Sequence, residues 1–342
     1  MNIALDATYS IGRNLSGVGV YSREILYGLA RAHPDHRFTF CYRPQRLLRS
    51  FGERLPANAR RFLLGDTRIP RRAEIFHGLN QRLPQVSLRR AVTTFHDLFV
   101  LTGEYSTPEF RQRFAAQARD AAARSDLIIA VSEFTARQVV DLLGVDAARV
   151  RVVHHGTRPP ACVPAAREKI VLHVGAIQRR KNIARLVEAF ESVDREWQLV
   201  LVGSAGYGAP EIMARIAASP ARERIRVRGY VPSAELDVWY RRASIFAFPS
   251  LDEGFGMPVL DAMAAGTPVI ASNRSAVAEV AGDAAWMVNP DDTADLAAAL
   301  AELTRDAQRR ADLSGRGLLR AAQFTWEDAV VKTWAVYRDL TN

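Results

Sequence analysis

No stretch of this chain approaches the ~20 consecutive apolar residues that span a bilayer, so a membrane-crossing helix is not expected. The opening MNIALDAT carries Asp6 and no basic segment ahead of an apolar run, which reads as a first strand and not as a signal peptide. Cysteine is scarce. Cys41 and Cys162 stand far apart in no metal-ligand spacing, which argues against a disulfide framework and for a reduced, cytoplasmic setting. No internal repeat or low-complexity segment stands out. Lysine is nearly missing, with only Lys169, Lys181 and Lys332 in 342 residues. What is present is enough for packed cores: hydrophobic residues make up 48%, and the length suggests two domains.

The net charge of +9 is unevenly spread. Residues 1–160 hold 24 arginines and no lysine against 14 acids, a balance of +10, whereas residues 161–342 hold 22 basic and 23 acidic groups. Such a first half suits nucleic acid, anionic lipid or a phosphorylated substrate, or is a solvated arginine surface. The chain has neither a recognition module nor an interleaved aromatic platform, so nucleic acid is not an expected partner.

Short apolar runs alternate with helical patterns from end to end. IALDAT, RFTFCY, EIFH, AVTTFH, LIIAV and VRVVH read as strands in the first half, with helices such as VYSREILYGLARA, PEFRQRFAAQARDAAAR and EFTARQVVDLLG between several of them. The segment HHGTRPPACVPAAREK, with three prolines and Gly156, reads as a linker near residues 155–168. The rhythm then restarts with KIVLHVG, WQLVLVG, RIRVRGYV, SIFAFPS and TPVIAS. The expected fold is α/β, two Rossmann-like doubly wound domains facing across a cleft, divided as 1–160 and 161–323. Residues 324–342 form an amphipathic helix, with Trp326, Val330, Trp334 and Tyr337 on one stripe, expected to pack back on the first domain.

The stretch SLDEGFGMPVLDAMAAGTPVIAS places Glu253 and Asp261 eight positions apart with Gly254, Gly256 and Pro258 between them. Pro258 suits the first turn of a helix from about Met257 to Ala265, and Gly266 suits its end. Glycines ahead of the helix let the backbone approach a ligand, and the helix start offers free N–H groups to a phosphate. Taken singly, Asp261 would pass for a dipole-compensating acid and Glu253 for a solvated loop residue. Together with the glycines and proline they point to one bound molecule. In HVGAIQRRKNIARLVEAF, Arg179, Arg180 and Lys181 crowd a helix start, which disfavours the helix unless an anion neutralises them. His77 follows a strand. His154 and His155 sit at the linker without a third ligand, and His173 inside a strand reads as a satisfied core residue.

EGFGMPVLDAMAAGTPVIAS together with GAIQRRKNIARLVEAF resembles the retaining nucleotide-sugar glycosyltransferases of family four, which have the GT-B architecture. SGVGVYSREIL, FHGLN, TTFHDL, AVSEFTARQVV and VRVVHHG resemble further landmarks of that family in order, so the resemblance covers nearly the whole chain. It implies an N-terminal acceptor-binding domain and a C-terminal donor-binding domain. It implies that Arg180 and Lys181 hold the donor diphosphate and that Glu253 meets the transferred sugar. The backbone of Gly254, Phe255, Gly256 and Met257, with Pro258, would line sugar and phosphates, and Asp261 would bind the ribose. The turn at Gly229, Tyr230 and Val231 would face the base. Gly17 and Gly19 would approach the diphosphate, and His96 would contact the sugar beside the reacting carbon.

There are two departures from the family pattern. The second acid is Asp261 and not Glu, and Ala176 stands where many members have Arg. The resemblance further implies transfer of a hexose, with mannose the first expectation, to a glycan or lipid-linked glycan acceptor in surface polysaccharide or lipopolysaccharide synthesis. A cytoplasmic location follows, with peripheral contact of the basic first domain at the anionic inner face of the membrane. No D-x-D triplet occurs, so the cations are expected to replace a metal, and no cofactor is expected beyond the donor substrate. A nucleotide-sugar epimerase of similar shape and a basic nucleic-acid binder are the competing readings.

Overall fold

The computed structural model describes residues 1–12, 14–157 and 166–341. Residues 158–165, the centre of the expected linker and the site of Cys162, lie outside the described residues. The chain divides into two compact units. The first comprises Met1–Thr102, Pro108–Gly156 and Thr325–Asn342, and the second Gly103–Thr107 and Thr157–Phe324.

In chain order the first unit contains β1 (Asn2–Asp6), α1 (Gly17–Ala32), β2 (Arg37–Tyr42), α2 (Pro44–Ser50), β3 (Ala59–Leu63), β4 (Ile75–Gly78), β5 (Ala91–Phe95) and α3 (Phe99–Thr102). It continues with α4 (Pro108–Arg124), β6 (Leu127–Ala130), α5 (Glu133–Leu143) and β7 (Val150–Val152). Its seven strands are parallel and ordered β3-β2-β1-β4-β5-β6-β7. β4 and β6 are buried along their whole length, as expected where helices cover both faces of a parallel sheet. Local signals set the helix ends. The Ser16 side chain accepts the Gly19 N–H to cap α1, and Ser132 caps α5, which stops at left-handed Gly144.

The second unit holds β8 (Glu168–Val174), α6 (Ile183–Phe190), β9 (Gln198–Val202), α7 (Ala209–Ala217), β10 (Ile225–Gly229), α8 (Ser233–Arg242) and β11 (Ala243–Phe248). It continues through α9 (Met257–Ala264), β12 (Val269–Ser272), α10 (Ser275–Ala281), β13 (Trp286–Val288), α11 (Thr293–Arg305) and α12 (Ala307–Ala321). The parallel order is β10-β9-β8-β11-β12-β13. Strand order reverses between β8 and β11, the place where doubly wound sheets hold ligands at their carboxyl ends. Val171, Ile245, Leu199 and Phe190 are among the side chains that fill the core beneath.

A last helix, α13 (Trp326–Asp339), belongs to the first unit. It lies so close to α1 that a Cβ on Gly28 would come within 2.4 Å of a Val330 methyl. Its buried face carries Trp326, Val330 and Tyr337. On α4 the buried face is Ala115, Ala118, Ala121 and Ala122, while Phe110 and Phe114 are only partly covered and stack on each other at 5.9 Å.

Candidate functional site

The switch point of the second sheet carries a knot of three charged side chains. Beyond β8, Gly175 has φ +156°, and an added Cβ would press on the Lys181 Cε at 3.2 Å, so glycine makes room for that side chain. A single 3-10 turn, Arg179–Lys181, precedes α6, with Asn182 left-handed at φ 57°. Asn182 is held there because its Nδ2 donates to the carbonyls of Pro249 (3.1 Å) and Pro290 (2.7 Å). The loop beyond β11 is tied to the same turn: the Leu251 N–H donates to the Arg180 carbonyl at 2.9 Å, and the Arg180 guanidinium donates to the Asp252 carbonyl.

Glu253 meets both cations, Arg180 at 2.9 Å and Lys181 at 2.5 Å. All three are buried, between 7% and 8% exposed, although 72 positions of sequence separate Lys181 from Glu253. Burial pushes the Glu253 carboxyl up, but the Arg180 and Lys181 charges outweigh it and hold the group at about 2. Lys181 also lies 4.8 Å over the Phe248 ring at the end of β11. The anion that the crowded cations imply is therefore, in this structure, supplied by the chain itself. Arg179 differs: it is exposed, over Tyr207 and against Glu211 at 3.3 Å.

The helix start follows at once. Gly256 sits at φ +100° as the residue before α9, a conformation that side chains resist, and Pro258 occupies the first turn. The Glu253 N–H donates to Ser275 Oγ (3.2 Å) and the Ala276 N–H to the Glu253 carbonyl (3.2 Å), so α10 supports the loop from the far side. Phe255 is buried and packs edge-on to Phe324, leaving the neighbouring Gly254 and Met257 main chain to line the loop.

Asp261, one turn into α9, does not join the knot. Its Oδ1 accepts from the Thr157 hydroxyl at 2.8 Å. Burial raises its carboxyl, the Thr157 hydrogen bond lowers it and the Asp237 charge raises it again, leaving it at about 6. Val231 is buried, while Tyr230 beside it is 44% exposed after left-handed Gly229.

His173 departs from the sequence reading. It is fully buried and its Nδ1 donates to the Ala247 carbonyl at 2.9 Å, but its Nε2 has no hydrogen-bond partner among the described residues. Burial, with the Lys181 charge acting in the same sense, leaves the ring neutral at about 4 in spite of the Ala247 bond and the Glu253 charge. Its place two residues before Gly175 on β8 was the available signal. Thr157 and Ser275 were also missed, because nothing in their local sequence marks them.

The first unit gathers a separate cluster at the carboxyl ends of β4 and β5. His96 Nε2 donates to the Leu79 carbonyl at 2.9 Å, and its ring stacks on His155 at 5.4 Å and meets Tyr21 edge-on at 4.8 Å. Burial pushes His96 down to about 4 against the opposing Leu79 bond, so the ring is neutral near pH 7. His77 bridges the Tyr337 hydroxyl (2.6 Å) and Thr94 (2.9 Å), and Thr94 bonds Tyr21 (2.8 Å). Gly17 opens α1, and Gly19 is packed where a Cβ would lie 2.9 Å from the Tyr9 carbonyl. Beside the ends of β1, β3 and β4 lies a cavity of about 790 Å³ lined by Tyr9, Asn80, Phe110, Arg113, Phe114 and Gln117, among others. Among the described residues no group of three or more His, Cys, Asp or Glu side chains is placed to hold a metal ion.

Comparison with known proteins agrees with this layout. The family profile described as Glycosyltransferase Family 4 matches residues 15–159, and that described as Glycosyl transferases group 1 matches residues 168–306. O-antigen chain mannosyltransferase B of Escherichia coli is 33% identical over 283 residues, 77% of this chain and 74% of that protein. The chain spans only about a third of the length of the serotype-specific mannosyltransferase WbdA of Escherichia coli, which is 27% identical over 260 residues. Among solved structures, sucrose-phosphate synthase from Thermosynechococcus elongatus superposes with a TM-score of 0.81 at 23% identity, over 100% of this chain and 99% of that one. Anabaena Alr3699/HepE in complex with UDP and glucose superposes at 0.74 with 18% identity, over 100% and 99%.

Proposed function

Because this chain belongs to the family 4 glycosyltransferases and has their GT-B fold, we propose that it moves a hexose, mannose first, from a nucleotide diphosphate donor to a glycan or lipid-linked glycan. The observation that carries this reading is the buried Arg180–Glu253–Lys181 knot at the switch point, directly ahead of the α9 N-terminus. A diphosphate placed there meets two cations and the positive end of the α9 dipole. Mannose is favoured by the similarity to a mannosyltransferase of O-antigen chains, and the same similarity supports a place in surface-polysaccharide synthesis. On this reading the second unit takes the donor and the first the acceptor, whose cavity combines aromatic faces with amide and guanidinium donors suited to sugar hydroxyls.

In the reaction the bond from the anomeric carbon to the diphosphate oxygen breaks through an oxocarbenium-like state. Negative charge grows on the leaving diphosphate, where Arg180, Lys181 and the α9 start stabilise it. The acceptor hydroxyl attacks from the same face and its proton passes to the leaving phosphate oxygen, giving retention. Glu253, ionised down to about pH 2, is free to accept from sugar hydroxyls once the diphosphate shares its cations. By the family resemblance, His96, whose Nε2 donates to the Leu79 carbonyl and which is neutral near pH 7, would offer Nδ1 as an acceptor to the transferred sugar. The two cations support diphosphate departure without a metal. The test is transfer from GDP-mannose to a soluble oligomannoside in EDTA, with the product linkage read by NMR. Retained configuration and unimpaired transfer are expected. An inverted anomer, activity that only Mg2+ or Mn2+ restores, or donor turnover without an acceptor would each overturn the corresponding part.

Asp261 gives a pH signature. As a ribose-binding acceptor it works best ionised, and its carboxyl sits at about 6, so the donor KM is expected to rise as pH falls below that value. Asp261→Asn should flatten the profile at a uniformly higher KM. A donor KM that improves on acidification would rule out the ribose role. Stability follows the opposite sense: the folded value lies above the ordinary 3.8, so the group favours the fold at low pH and this contribution is lost as pH rises from 3.8 to about 6.

A further inference from the structure

α2 leaves the carboxyl end of β2 and ends in a turn with two conspicuous side chains. Leu48 is 80% exposed and Phe51 66% exposed. Leu48 lies on the last turn of α2 and Phe51, three positions on, is the residue that caps it in helical backbone geometry, so they form one apolar knob and not two scattered surface residues. Arginines flank it in the chain: Arg49 is exposed next to Leu48, and Arg54 is exposed in the loop three residues beyond Phe51. Arg61 lies 5.1 Å over the Phe51 ring while bonding the Ser50 carbonyl at 2.8 Å, which fixes the knob in place. Residues 43–72 hold nine arginines against two acids. Both acids already have cationic partners, Glu53 with Arg23 at 2.9 Å and Asp66 with Arg43 at 3.0 Å.

An apolar tip set in a field of guanidinium groups is chemically matched to an anionic bilayer surface. The tip enters the boundary between headgroups and acyl chains, and the arginines hold lipid phosphates. No helix among the described residues is long and apolar enough to cross a membrane, so such a contact would be peripheral. We propose that Leu48 and Phe51, with Arg61 over the Phe51 ring and exposed Arg49 and Arg54 flanking them in the chain, are the surface by which this chain docks on anionic lipid. The inference rests on the reading of a lipid-linked acceptor and gives it a geometry. Arg43, immediately before α2, pairs with Asp66, which itself lines the cavity of the first unit. Docking through α2 therefore brings that cavity close to the membrane surface.

Sedimentation with phosphatidylcholine vesicles containing about a third phosphatidylglycerol tests it. The full chain should co-sediment with these vesicles and not with pure phosphatidylcholine, and raised salt should release it. Leu48→Glu with Phe51→Glu should lower the partition at least ~10-fold. Arg49→Gln with Arg54→Gln should lower it about five-fold per arginine. Both variants should keep the wild-type circular dichroism spectrum and rate on a soluble oligomannoside. Docking that survives the Leu48/Phe51 variant, equal binding to pure phosphatidylcholine, or no docking by the wild type overturns the proposal. So does a wild-type dimer that the variant splits, which would make the knob an interface between copies of this chain. Intact transfer to the soluble acceptor without docking sinks only the surface, whereas intact, knob-dependent docking without transfer supports the surface and sinks the functional reading.

Discussion

Replacing Arg180 and Lys181 together with alanine is expected to lower kcat/KM for donor turnover on the order of 10⁴-fold, with most of the loss in kcat. Removing one preorganised donor from a site where negative charge develops costs about 10²–10³-fold, and here two cations act on one leaving group. Both are buried and already oriented, Arg180 by the Asp252 carbonyl and Lys181 by the Phe248 face, so little reorganisation accompanies the reaction. The variant leaves Glu253 buried without its cations, and its carboxyl should climb from about 2 because the two charges that outweigh burial are gone. A conservative pair, Arg180→Lys with Lys181→Arg, keeps the charge and should recover part of the rate. Recovery separates a charge role from loss of packing. Steady-state kinetics on purified protein with an unchanged circular dichroism spectrum decides it, and a double alanine variant with wild-type turnover would end the proposal for this site.

Glu253→Gln should show the second large effect, with opposite signs for nucleotide binding and for catalysis. Removing one partner of a buried ion pair costs about 3–5 kcal/mol, because the remaining charges stay buried and uncompensated. For a unit of this size that is a fall in Tm of roughly 10 °C. A nucleoside diphosphate should restore much of it and bind the variant more tightly than the wild type, since the internal competitor for Arg180 and Lys181 is gone. Turnover should nevertheless fall about 10²-fold, because the acceptor for the sugar hydroxyls is lost. The wild type has a matching pH dependence. Its folded carboxyl lies at about 2, below the ordinary 4.5, so the contribution is present above 4.5 and lost as pH falls from there towards 2. Glu253→Gln should be flat across that window. Thermal melts with and without nucleoside diphosphate, run beside kinetics, read all three effects; a variant as stable and as active as the parent would show that the knot is only a surface ion pair.

The fold class was legible because its signals are local. Apolar runs such as LIIA and ASIFAF are buried along their whole length, so their sequence needs no polar alternation to mark them as inner parallel strands. Two strands escaped this reading, β3 and β13, and both lie at sheet edges. An edge strand can be short or charged: ARRFL is interrupted by two arginines and WMV has three residues. The loop ahead of α9 was equally readable. Gly256 and Pro258 are there for backbone reasons that hold in any context, a positive φ and a first-turn position.

Side-chain partners were not readable in the same way. The crowding of Arg179, Arg180 and Lys181 announced an anion but could not say whose, and the structure places Glu253 there from 72 residues away. Asp261 looked like one half of a carboxylate pair with Glu253, yet it faces Thr157. His173 looked like an ordinary core histidine, and only its surroundings show one ring nitrogen left without a hydrogen-bond partner among the described residues.

Sequence by itself therefore determined the two parallel α/β sheets, the position of the glycine–proline loop and the presence of surplus cations, since propensity, periodicity and capping act within a few residues. Tertiary structure alone decided which charge neutralises which, that Asp261 stands apart, and that Leu48 and Phe51 remain uncovered. The physical reason is that burial and ion pairing depend on what the far chain brings alongside. A residue's own neighbours in sequence do not fix the dielectric it will occupy or the charge it will face.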